Sequence, residues 1–144
     1  MDKIELIEEK LEDDNFANVL GVVLDELTDD EVKMHMKLTS EMNNFNGRPH
    51  GAAIYGLADV AFSLIGNNQN NLSVALDCNI FYHASPEPED ILYVRGERIA
   101  QTRKIGTYLF TLYTLKNDKE VKIATMMSTL YRTGKPIDPN LGIG

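Results

Sequence analysis

The feature that most constrains this chain is the stretch Asn44–Asn67, NFNGRPHGAAIYGLADVAFSLIGN. A polar loop punctuated by Gly47 and Pro49 turns there into an almost wholly apolar segment. From about Gly51 to Ile65, residues Ala52, Ala53, Ile54, Leu57, Ala58, Val60, Ala61, Phe62, Leu64 and Ile65 cover every direction around a helix. A helix that is apolar all round belongs in a core. Asp59 is its only ionisable carboxylate. A charged carboxylate without partners is costly to bury, so the sequence predicts that Asp59 is paired, hydrogen-bonded or placed for chemistry. Two readings stay open: an acid bonded to backbone or to a partner's hydroxyl at a subunit contact, or a reacting group. Ser63 lies one turn further on, at i+4, on the same face. Gly56 weakens the helix by roughly 0.5–1 kcal/mol relative to alanine. Its presence predicts a close approach, either by the sheet or by a ligand.

The rest of the chain must supply the shell around that helix. Residues 2–13 place Ile4, Ile7 and Leu11 at helical spacing, and the helix is expected to continue irregularly through Phe16 to Leu20, covering an edge or end of the body. A strand is expected from Gly21, GVVLDEL, then a turn, TDDE. In VKMHMKLT, Val32, Met34, Met36 and Leu38 alternate with Lys33, His35, Lys37 and Thr39, the pattern of a half-buried antiparallel strand with His35 on its exposed face. NNQNN reads as a loop. SVALDCNIFY reads as a strand with Val74, Leu76, Cys78, Ile80 and Tyr82 on one face. Pro86 and Pro88 exclude regular pairing in HASPEPED. ILYVRGERIAQTRK, TYLFTLYTL and EVKIATMMSTLYRT complete the strands, the last two joined by a hairpin turn at KNDK. The tail from Gly134 to Gly144 is irregular. The reading is a single α+β domain over residues 1–144, with an N-terminal helical segment over 1–20. Its antiparallel sheet curls around one long helix.

Charge narrows the function. A net charge of −8 argues against a nucleic-acid binder and against docking on anionic membranes. The acidic start MDKIELIEEK is unlike a signal peptide, and no apolar run reaches the roughly 18 residues of a membrane span, so a cytoplasmic protein is expected. A single cysteine, Cys78, leaves no internal disulfide and no Cys-based zinc site.

The start of the long helix carries unsatisfied N–H groups and the positive end of the helix dipole. Gly51 has no side chain, so a ligand oxygen can come close to its N–H, the arrangement of an oxyanion hole for acyl transfer. His50, just before it, either polarises the same oxygen or holds the loop. Gly51 and Asp59 are eight residues apart, which at about 1.5 Å per residue is roughly 12 Å. One ester or thioester carbonyl cannot touch both. If both react with one bond they come from different chains, and antiparallel helices across a two-fold axis bring them together. That predicts a homodimer with two shared sites.

These residues resemble the hotdog-fold acyl-CoA thioesterases, in particular the phenylacetate-pathway (PaaI-like) branch and its 4-hydroxybenzoyl-CoA thioesterase relatives. The family motif, N-x-x-G-x-x-H-G-G followed by a helical L-A-D, is matched by Asn44, Gly47, His50, Gly51 and then Leu57-Ala58-Asp59. The resemblance implies a hotdog fold, hydrolysis of acyl-CoA thioesters, and no metal or redox cofactor. It implies that the Gly51 N–H polarises the carbonyl and that Asn44 and His50 support that site. Asp59 of the neighbouring chain would activate water or attack directly. It also implies a homodimer that pairs further into a dimer of dimers. Two positions depart from the pattern: Ala52 replaces the second glycine, and Ala75 stands where one branch carries a hydroxyl on the strand after the helix. Ser63 is the better hydroxyl candidate, with Ser73 displaced by two residues on the face of Ala75. Arg95, Arg98, Arg103 and Lys104 cluster in an otherwise acidic chain. They read either as a solvated strand end or, by the resemblance, as a site for CoA phosphates, for which Arg48 is a further candidate. A binder or sensor of acyl-CoA without turnover is the competing function. The acyl group is not specified: Tyr55, Phe62, Met126 and Met127 fit either a pocket or the core.

Overall fold

The computed structural model describes residues 1–144. Helix α1, Lys3–Glu12, starts at a capping box: the Asp2 carboxylate accepts from the Glu5 N–H, and the Glu5 carboxylate accepts from the Asp2 N–H. The expected irregular continuation is a separate helix, α2, Asn15–Leu20, because Asp14 caps a new start by accepting from Ala17 N–H. Gly21 does not begin a strand as the sequence suggested. It closes α2 at φ 72°, the left-handed conformation glycine adopts without strain.

Six strands follow: β1, Val23–Leu27; β2, Glu31–Lys37; β3, Ser73–Tyr82; β4, Ile91–Gln101; β5, Ile105–Lys116; and β6, Lys119–Arg132. They form one antiparallel sheet in the order β1-β2-β4-β5-β6-β3. The long helix, α3, Gly51–Gly66, packs on its inner face. The alternation read in β2 holds: Val32, Met34, Met36 and Leu38 are buried with Leu57, Ala58, Ala61 and Ile65 of α3 in one apolar core. Shifts in register between β1 and β2, β3 and β6, β4 and β5, and β5 and β6 bend the sheet around the helix. Asn117 and Asp118, with φ 52° and 62°, make the β5–β6 turn as the sequence indicated. This is the α+β hotdog arrangement. No helix is long and apolar enough to cross a membrane.

Two features depart from the sequence reading. Leu76 is the extra residue of a bulge between Ala75 and Asp77, and a bulge shifts the alternation by one. Ala75, not Val74 or Leu76, therefore shares the helix-facing side with Cys78, Ile80 and Tyr82: these residues oppose Leu130, Ser128, Met126 and Ala124 of β6. The NNQNN segment is not a passive loop. Asn68, Asn70 and Asn71 are buried, and Asn70 adopts φ 58°. The Asn70 side chain donates to the Asp138, Leu141 and Gly142 carbonyls and accepts from the Ile137 and Asp138 N–H groups. The irregular tail is thereby fastened under the carboxyl end of α3.

Candidate active site

The loop before α3 is folded by its own polar groups. The Asn44 side-chain oxygen accepts from the Asn46 N–H at 2.8 Å and from the Arg48 N–H at 3.1 Å, and Gly47 turns the chain at φ 72°. His50 N–H donates to the Met42 carbonyl. The His50 ring is the N-cap of α3: Nδ1 accepts the Ala52 N–H at 2.9 Å. Accepting at Nδ1 places the proton of the neutral ring on Nε2, which is left as a donor. The Ala53 and Ile54 N–H groups are taken by the His50 carbonyl. Of the first helical turn, only the Gly51 N–H is left without an acceptor.

Tyr82, at the end of β3, covers this point. Its hydroxyl donates to the Gly51 carbonyl at 3.1 Å, and its ring would lie 3.4 Å from a Cβ placed on Gly51. Burial pushes the Tyr82 hydroxyl above its ordinary pKa, so it stays protonated as a donor near neutral pH. Pro49, Gly51, Ile54, Tyr82 and the segment from His83 to Pro86 line an open groove of about 320 Å³. Sequence reasoning grouped Tyr82 only with apolar strand residues. The available signal was an aromatic hydroxyl ending a strand that follows the helix, but its partner is 31 residues away.

The middle of α3 differs from the expectation of all-round burial. Ala52, Asp59 and Ser63 are exposed and Tyr55 half-exposed, forming one open stripe along the helix. Asp59 thus lies in a trough, not in the core of the chain. The β3 side of the trough brings Ser73 and Ala75 to Asp59, Phe62 and Ser63 around a small cavity of about 90 Å³. The other wall is α2. A Cβ on Gly56 would sit 2.9 Å from Leu20 Cδ1 and 3.6 Å from Phe16, so Gly56 admits α2, and neither the sheet nor a ligand requires it. Partial burial raises the Asp59 pKa above the ordinary carboxylate value, and the negative charge of Asp14 adds to this. No cation or hydrogen-bond donor offsets these effects. The Ser63 hydroxyl donates to the Val60 carbonyl at 2.7 Å and the Ser73 hydroxyl to the Asn71 carbonyl at 2.9 Å, so both protons are directed at backbone. Beside Asp59, the Tyr55 hydroxyl meets the Cys78 thiol. That hydrogen bond, together with burial, pushes Tyr55 up to about 12.

The basic residues separate into two groups. Arg48 is held by Glu87 at 2.9 Å, by the Ser85 hydroxyl and by the Pro86 carbonyl, bracing the β3–β4 loop. Arg95 makes a two-pronged pair with Glu120 across the ring of Tyr113. Arg98 is nearly buried between Asn68, Tyr108 and Asp29. Arg103 and Lys104, in the β4–β5 turn, have no carboxylate partner and are exposed. No three His, Cys, Asp or Glu side chains converge on a point that could hold a metal ion.

The geometry therefore offers a helix-terminal N–H without an acceptor and a partly desolvated carboxylate without a partner, by helix rise roughly 12 Å apart on one helix. Residues 46–121 match the sequence model of the Thioesterase superfamily. The chain is 25% identical over 126 residues to the acyl-coenzyme A thioesterase PaaI of Escherichia coli K12, covering 88% of each. The structure of the E. coli PaaI protein superposes with a TM-score of 0.85 at 23% identity, over 94% of this chain and 97% of that one. An Asn-to-Asp variant of the phenylacetic acid degradation protein PaaI from Thermus thermophilus superposes with a TM-score of 0.76 at 25% identity, over 83% and 99%.

Proposed function

The chain belongs to the Thioesterase superfamily, as a hotdog member of the PaaI-like kind, and on that premise we propose that it hydrolyses acyl-CoA thioesters to free acid and CoA. The carrying observation is the pair of half-sites on α3: one unclaimed donor at Gly51 and one unpartnered acid at Asp59, too far apart to meet within a chain. The reading completes each site with a second copy whose α3 runs antiparallel in the trough. The edge strand β3 supports this: it ends the sheet, is ten residues long, and exposes Val74, Leu76 and Phe81. An uncovered apolar edge of that length is a liability that folded proteins cover or pair.

In this mechanism the Gly51 N–H of one subunit donates to the thioester oxygen and stabilises the negative charge that develops there. Asp59 of the other subunit takes a proton from water as the water oxygen bonds to the carbonyl carbon. The tetrahedral intermediate then collapses, the C–S bond breaks, and the proton held by Asp59 passes to the departing thiolate, releasing the acid and CoA. A carboxylate with a raised pKa is both a stronger base and a stronger nucleophile, so the shift serves water activation and direct attack alike. His50 and Asn44 hold the donor in place, and Ser63 flanks the acid. Arg103 and Lys104 are the cations free to meet CoA phosphates, whereas Arg48 and Arg98 are engaged within the chain.

The test is CoA release from a panel of acyl-CoAs by wild type and Asp59→Asn. Turnover is expected for wild type and a fall of about 10²–10⁴-fold for the variant, the scale of a lost general base. Binding of CoA esters without turnover by wild type would instead establish a binder or sensor.

A further inference from the structure

Asp59's small cavity does not end at Ser63. Ser63 and Asn67 also line a second, larger cleft of about 250 Å³, on the opposite side of the stripe. Its apolar wall is Ile7 and Leu11 from α1, Leu64 from α3, Leu72 from the segment before β3, and Ile137 from the tail; Lys10 and Asp14 line it as well. Most of these walls lie outside residues 46–121, the part of the chain matched by the superfamily. The tail residue is held in place by the Asn70 side chain, which accepts from the Ile137 N–H at 3.0 Å.

We infer that this cleft receives the acyl group of the substrate, so that the N-terminal helical arm and the tail set acyl specificity. The inference rests on the thioesterase reading. A thioester carbon beside Asp59 can extend its acyl chain past Ser63 into the cleft, while the sulfur and the rest of CoA lead away toward solvent. The cleft lies below the 300–1,000 Å³ usual for drug-sized ligands, a size suited to a short aliphatic or single-ring acyl group and too small for a nucleotide. The apolar wall and this volume fit a short to medium acyl group.

Two substitutions test it in opposite directions. Leu72→Trp adds bulk at a side chain that is 43% exposed, so the fold has room to accept it. Ile137→Ala enlarges the cleft from the tail. The measurement is the ratio of kcat/KM for hexanoyl-CoA and benzoyl-CoA to that for acetyl-CoA. Leu72→Trp is expected to lower the ratios about tenfold, and Ile137→Ala to raise the hexanoyl ratio, since one or two methylenes in an apolar pocket are worth about that much. If wild type turns over CoA esters and neither ratio moves, or both variants move it the same way, the cleft is not the acyl pocket. If wild type turns over none of them, the thioesterase reading fails and this inference with it. Should Leu72→Trp not fold, Ile137→Ala decides alone.

Discussion

The two proposed half-sites on α3 are built in opposite ways. At the amino end almost every polar group is assigned. Asn44 folds the loop, the His50 ring caps Ala52, its carbonyl takes two further N–H groups, Tyr82 holds the Gly51 carbonyl, and one backbone N–H is left over. Eight residues later, Asp59 is exposed on a stripe with no donor and no cation, beside a like charge. The first half-site is preorganised within a chain, as a site for developing charge must be. The second is incomplete within a chain, as expected of an acid whose surroundings are finished by a partner subunit and by substrate.

Substitution at Gly51 probes the amino end most severely. Gly51→Pro removes the N–H with the backbone kept: proline suits the first helical position, and His50 at ψ 140° already has the backbone that precedes proline. The expected loss is about 10²–10³ in kcat, the scale of one oxyanion donor. Gly51→Ala keeps the N–H, and its methyl meets Tyr82 at an ordinary 3.4 Å, so it is expected to retain most activity. Equal loss in both variants would mean that space, and not the donor, matters at this position.

A smaller effect is expected at Tyr82. Tyr82→Phe keeps the ring and deletes the hydrogen bond to the Gly51 carbonyl. A hydrogen bond of this kind contributes about 0.5–1.5 kcal/mol, so kcat should fall roughly two- to tenfold with little change in KM. A change confined to KM would make Tyr82 a wall of the groove and not a positioning residue.

The smallest effect reports on the middle of the helix. Asp14→Asn keeps an acceptor for the Ala17 N–H but removes the negative charge that helps raise Asp59. Losing that charge lowers the Asp59 pKa, so the acid limb of kcat/KM should move to lower pH. A limb that stays in place would separate the activity from ionisation of Asp59.

Much of this arrangement was legible from local pattern. The period of two in Val32–Leu38, the β-branched and aromatic runs of β5 and β6 and the apolar run of α3 report burial directly, and Gly51 and Asp59 stand out against it. What escaped was whatever depends on distant residues. The bulge at Leu76 is set by its pairing with β6, more than 50 residues away. Arg48 looked free until the chain returned Glu87 to it, 39 residues later. The five-amide run after α3 carries no hydropathy signal, yet Asn70 organises a tail 67–72 residues away. The openness of Asp59 was hidden because Ala52, Tyr55 and Ser63 leave a gap too narrow to register in an apolar helix.

The central claim is that a Gly51 from one subunit and an Asp59 from the other make one site. Mixing inactive Gly51→Pro and Asp59→Asn subunits tests it most directly, with mixed dimers verified by mass. In each mixed dimer one site regains both groups, so random exchange should restore about a quarter of wild-type activity. Mixed dimers that form and remain inactive would contradict the shared site.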